Sequence, residues 1–223
     1  MKKGDFLWLL SLLAVSAILL SPATHGVFIA TTKAHPYLMG FIKVAILATM
    51  GELLAIRIVV GKWTQPVGLF WRMVIWGFFG MAFAVAFPIF DAGVRGAIGA
   101  GLISDFGGSK LATAFFISTF MNLIFAPTFM GLHRITDTYI ELCDGKVGNL
   151  SKVSIHQVVE HIDWKILVSF VYAKTIPIFW IPAHTITFML PPEYRVLMSA
   201  FLSIALGGIL SFVKKKGQPA GNR

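Results

Sequence analysis

The chain has 223 residues, of which 57% are apolar and 13% charged, and its mean hydropathy is +0.78. Soluble domains carry about 25% charged residues, so these side chains cannot cover a globular surface, and the composition excludes a soluble enzyme. Nineteen Lys and Arg against ten Asp and Glu give a net charge of +9; the positive residues cluster beside apolar stretches, which points to a membrane and not to nucleic acid.

A hydrocarbon core of about 30 Å needs about 20 apolar residues per helix. The sequence predicts an all-α transmembrane bundle with spans at residues 6–20, 37–60, 69–90, 111–132, 164–190 and 196–213. Residues 34–213 form the bundle, 1–33 an added N-terminal span or signal-like segment, and 214–223 a basic tail. With the N-terminus inside, Lys and Arg near span ends divide twelve inside to four outside (Lys33, Arg95, Lys110 and Arg195), with Lys43, Arg57 and Lys174 within spans. Both termini are therefore expected in the cytoplasm.

The first segment has two readings. Lys2 and Lys3 precede an apolar run, and Ser21-Pro22-Ala23 supplies small residues, which suits a cleaved signal and leaves five spans. Alternatively the helix continues past Pro22 through Gly26 as one long tilted span.

The second span holds three ionisable residues, and such groups inside a membrane are costly. Lys43 and Arg57 lie near its ends, where snorkelling to the interface accounts for them. Glu52 lies nine residues from Lys43, on the opposite side of the helix, sharing a face with Ala45, Ala48 and Ala55. Small residues let helices approach, so Glu52 points into the bundle, either as a neutral or paired packing residue or as a pore-lining one. Lys174 of the fifth span is its expected counter-charge. In the third span Gly77, Gly80 and Ala84 form a packing seam, as do Ser199, Ser203, Gly207 and Ser211 in the last.

Residues 91–110 form a glycine-rich outer loop and 133–163 the cytoplasmic loop. In the latter, Ser154 and Gln157 make a capping box before a short amphipathic helix. The fifth span carries Pro177 and Pro182, which remove two backbone donors and are expected to break the helix. His184, Thr185 and Thr187 follow, placing polar groups at membrane depth; these line a site or bond back to their own helix. Trp180 and Tyr194 fit the interfacial aromatic belt.

Catalytic signatures are absent. His156, Glu160 and His161 miss the zinc-protease spacings, no phosphate-binding loop is present, and Cys143 has no partner thiol. No metal, cofactor or catalytic residue is expected.

Several short elements stand out: Ala34-His35-Pro36-Tyr37, Met50-Gly51-Glu52, Gly77-Phe78-Phe79-Gly80, Asp91, and the series Trp180, His184, Phe188, Pro192, Arg195 and Leu210-Ser211. Together they resemble the Mpv-seventeen and peroxisomal-membrane-protein-twenty-two family of small organellar membrane proteins, in a bacterial-type version. Met81 departs from the family's proline, Thr187 from its asparagine, and its Asp-Gln pair is missing near Ala114 and Phe115. The resemblance covers residues 35–213 and implies a channel or solute passage. The expected function is thus a small-solute channel or transporter with a polar site near the bilayer midplane. The competing expectation is a non-catalytic structural or assembly protein acting through helix contacts. Expected partners are lipid, small solutes or ions and a second copy of the chain, without nucleic acid. The expected location is a bacterial cytoplasmic membrane, or an organellar membrane in a eukaryote.

Overall fold

The computed structural model describes residues 3–216. Regular structure among these residues is helical throughout: α1 (Lys3–Leu20), α2 (Pro22–Ala34), α3 (Pro36–Val60), α4 (Leu69–Gly99), α5 (Lys110–Leu142), α6 (Ile155–His161), α7 (Trp164–Met189) and α8 (Pro192–Lys216). Of these, α3, α4, α5 and α7 are long and apolar enough to cross a membrane, and α1 with α2 makes a fifth candidate. The segment expected as a sixth span lies in α8. The side chain of Ser211 and the tail beyond Lys216 lie outside the described residues. Large apolar side chains, Phe78, Ile89, Ile124 and Ile178 among them, are more than half exposed.

The N-terminal segment does not continue as one tilted helix. It turns by 77° between α1 and α2, at Ser21-Pro22, because Pro22 has no amide hydrogen to continue α1 and instead starts a new helix. Helix α1 then lies along α3: the Trp8 indole donates to the Met50 carbonyl at 3.0 Å, and Asp5 accepts both Arg57 Nε at 2.8 Å and Arg57 Nη2 at 3.0 Å. Arg57 is therefore paired across helices and does not simply reach for the interface. Helix α2 crosses the far end, where Phe28 joins a core with Val44, Leu47, Ala48 and Leu197.

Helix α3 is central and packs on both α4 and α8. Glycine makes these approaches close, as the small-residue seams predict. A Cβ placed on Gly40 would lie 2.6 Å from the Gly80 carbonyl oxygen, and one on Gly80 would collide with the Gly40 carbonyl. On the other side, a Cβ on Gly207 would lie 3.3 Å from the Gly51 carbonyl. We expect Gly80→Ala to destabilise the protein by about 1–3 kcal/mol, as overpacking does, despite alanine's gain of roughly 0.5–1 kcal/mol in helix propensity, because the obstructing atom is backbone. Thermal unfolding in detergent checks this, and an unchanged midpoint would contradict the seam.

Two predicted loops are shorter than the sequence suggests. Helix α4 runs to Gly99 and α5 to Leu142, so the connections shrink to residues 100–109 and, before α6, 143–154. Gly93, Gly96 and Gly99 are helical with open space where a Cβ would be, which costs helix propensity without preventing the helix. The capping box forms as expected at the start of α6: Ser154 Oγ accepts from the Gln157 amide, and the Gln157 side chain accepts from the Ser154 amide at 2.8 Å.

The expected break at Pro177 and Pro182 does not occur. Helix α7 stays continuous but winds wide over Leu167–Trp180, with bonds reaching five residues back. The wider turn moves the carbonyl four residues back away from the proline ring, so the clash is relieved without opening the chain. Pro182 follows where the winding returns to that of an ordinary α-helix over Ile181–Met189. Both prolines are exposed.

Candidate functional site

A cavity of about 290 Å³ lies among α3, α4, α5, α7 and α8. Along α5 its wall is the stripe Asn122, Ala126, Phe129, His133 and Asp137, spaced four, three, four and four, which is one face of an α-helix. From Met121 to Asp137 the lined stretch is about 24 Å of helix, most of a hydrocarbon core of about 30 Å. Opposite it stand Ala48, Gly51, Glu52 and Ala55 of α3 and Ser199, Ser203 and Gly207 of α8. The small residues that bring α3 and α8 together therefore also leave room beside the seam. Trp76, Phe83, Phe87, Phe125 and Trp180 complete the walls.

One end of the cavity is acidic. Arg72, in the first turn of α4, places Nη1 3.0 Å from Glu52 Oε1 and 3.1 Å from Asp137 Oδ1, while Nη2 donates to Glu141 Oε1 at 2.7 Å. Its Nε donates to the Val67 carbonyl at 3.0 Å. Gly68 makes this possible: its positive φ of 66° starts α4 against the end of α5, where a side chain would strike Ile140 and Gly145. Three carboxyl groups around one guanidinium leave the cluster acidic on balance. His133 Nδ1 stands 3.6 Å from Asp137 Oδ2, beyond hydrogen-bond reach, and its ring packs on Trp76 with centroids 4.3 Å apart.

Three polar atoms at this end lack partners although fully covered: Glu52 Oε2, His133 Nε2 and Trp76 Nε1. The Trp76 indole N–H is near enough to act on the Glu52 carboxyl but does not attain hydrogen-bond geometry. Buried polar groups normally find partners, and all three of these residues line the cavity.

At the other end His184 is buried, with Nδ1 3.0 Å from the Asn122 side-chain nitrogen, which also donates to the Ser118 carbonyl at 2.9 Å. The Trp180 ring stacks over His184 at 5.0 Å. The structure thus brings Glu52 and His184, distant in sequence, to the two ends of one cavity. Thr185 and Thr187 do not join them: their hydroxyls donate to the Ile181 and Ala183 carbonyls at 2.7 and 3.0 Å, the local back-bonding expected of threonine in a helix. Lys174 is exposed and does not meet Glu52, because its side of α7 faces outward; Arg72 is the counter-charge.

Sequence reasoning missed Arg72, His133 and Asp137. In sequence Arg72 reads as one more positive residue near a span end, and the apolar run of the fourth span stops at residue 132. The signal was present: the α5 stripe keeps its helical spacing through His133, Asp137 and Glu141. A second charged cluster lies elsewhere, where Asp91 accepts from Arg195 Nη1 at 2.6 Å and Arg95 Nε at 2.5 Å. Among the described residues no group of three or more His, Cys, Asp or Glu is placed to hold a metal ion.

Compared with known protein families, with curated proteins and with solved structures, the chain has no significant match.

Proposed function

We propose that the protein is a polytopic membrane channel or carrier for small solutes, and that the cavity between Glu52 and His184 is where the solute sits. The carrying observation is a lengthwise space whose aromatic walls end in a carboxyl cluster with unpartnered polar atoms. Such a lining suits a solute with an apolar body and a positive charge or hydrogen-bond donors. Aromatic faces attract cations, and Glu52 Oε2 and Asp137 supply acceptors. In this reading α1, α3, α4, α5, α7 and α8 make six crossings, both termini are cytoplasmic, and the acidic end faces the cytoplasm. The family resemblance belongs to the same proposal.

The structural-protein reading draws on the glycine seams at Gly40–Gly80 and Gly51–Gly207, which hold helices together without requiring a passage. Flux through liposomes containing purified protein separates the two, tested with small organic ammonium ions, neutral metabolites and anions of similar size. Glu52→Gln keeps shape while deleting a charge, so we expect it to reduce ammonium flux relative to neutral solutes while the protein still inserts. Equal selectivity in wild type and variant would remove Glu52 from the path.

A further inference from the structure

Lys43 presents a separate problem. It lies in the second turn of α3 and only 7% of it is accessible, so it does not snorkel as its position in the sequence suggests. Its Nζ donates to Thr32 Oγ1 at 3.2 Å and lies 4.8 Å from the centre of the Phe28 ring. Among the described residues it has no carboxylate within ion-pair distance, so a charged ammonium with three donors is held by one hydroxyl and one ring face. Burying a charge on such terms is costly.

The surroundings suggest what completes it. Lys43 lines a pocket of about 430 Å³ between α2, α3, α4 and α8, together with Thr32, Lys33, Glu193 and Arg195. The other charges there are already matched: Lys33 pairs with Glu193 at 3.2 Å, and Arg195 donates to Asp91 and to the Leu190 and Phe188 carbonyls. Lys43 is the cation left over. The Thr32 hydroxyl, having accepted from Lys43, still has its own hydrogen to give. Several donors converging from different directions match an anion with several oxygens, and the adjoining walls of Ala84, Phe87, Pro88 and Val196 are apolar.

We propose that this pocket is an anion site in which Lys43 and Thr32 bind a phosphate group, carried either by a lipid headgroup or by a soluble phosphate. It is distinct from the Glu52 cavity and does not depend on the function proposed for that cavity.

The test uses purified full-length protein in non-ionic detergent. Inorganic phosphate, against chloride at matched ionic strength, should raise the thermal unfolding midpoint of the wild type, or phosphatidylglycerol should be retained over phosphatidylcholine in native mass spectrometry. Lys43→Met should remove whichever effect is seen, lowering affinity by about tenfold or more, the usual effect of losing a charge-assisted hydrogen bond. A phosphate effect marks a soluble ligand, and a phosphatidylglycerol effect alone marks a lipid. Without either probe, Lys43→Met should unfold at the same or a higher temperature than wild type, since an unmatched buried charge is gone. Should that variant fail to fold, Thr32→Val provides the second reading and should weaken binding in the same assay. The proposal is overturned when the wild type responds to neither probe, or when it responds and the variant that folds responds equally.

Discussion

Arg72→Met is expected to destabilise the bundle by about 3–5 kcal/mol, the usual range for breaking a buried ion pair by removing one partner. The Arg72 side chain is 4% exposed and the Glu52 and Asp137 side chains are 21% and 11% exposed. Without the guanidinium, two mostly covered carboxyl groups lose their ion-pair partner, and the Val67 carbonyl loses its donor. Glu141, at 57% exposed, is solvated and adds little. The loss should shrink when the carboxylates go too: Arg72→Met combined with Glu52→Gln and Asp137→Asn is expected to recover most of it, because the cost comes from unmatched charge and not from lost volume. Unfolding by denaturant in detergent, read for the single and triple variants, checks both statements. A single variant as stable as wild type would mean that Arg72 does not organise this end of the bundle.

The same residue shows how far the sequence carries. The long apolar helices were legible because the runs at 37–60, 69–90, 111–132 and 164–190 exceed anything a soluble core requires. The inward face of α3 was legible because Ala48, Glu52 and Ala55 follow helical spacing, and the glycine seams because small residues recur at fixed intervals. Arg72 was not legible. An arginine three residues into an apolar run has the same appearance whether it faces lipid headgroups or three carboxylates, and the difference depends on how α4 starts at Gly68. Lys174 failed as a partner for a related reason. Sequence gives depth along a helix, but which way a wide-wound α7 turns its lysine depends on its neighbours. The prolines mislead because they clash only with α-helical geometry, and the chain adopts a wider turn that accommodates them.

If solute moves through the cavity beside the α3–α8 seam, filling that cavity should stop it. Ala126 lies one turn beyond Asn122 on the α5 stripe, between the His184 end and the Glu52 end, so Ala126→Phe sets a phenyl ring into a space of about 290 Å³. It lies about three turns from Asp137 along α5 and leaves the Arg72 cluster intact. Ser203→Phe approaches the same space from α8 and guards against a local packing fault in either variant. The measurement is solute flux into liposomes containing equal amounts of inserted protein, with small organic ammonium ions as tracers. Wild type should transport at least one tracer, and both variants should fall to the level of protein-free vesicles while keeping a cooperative unfolding transition. Wild-type flux persisting in both folded variants would rule out this path.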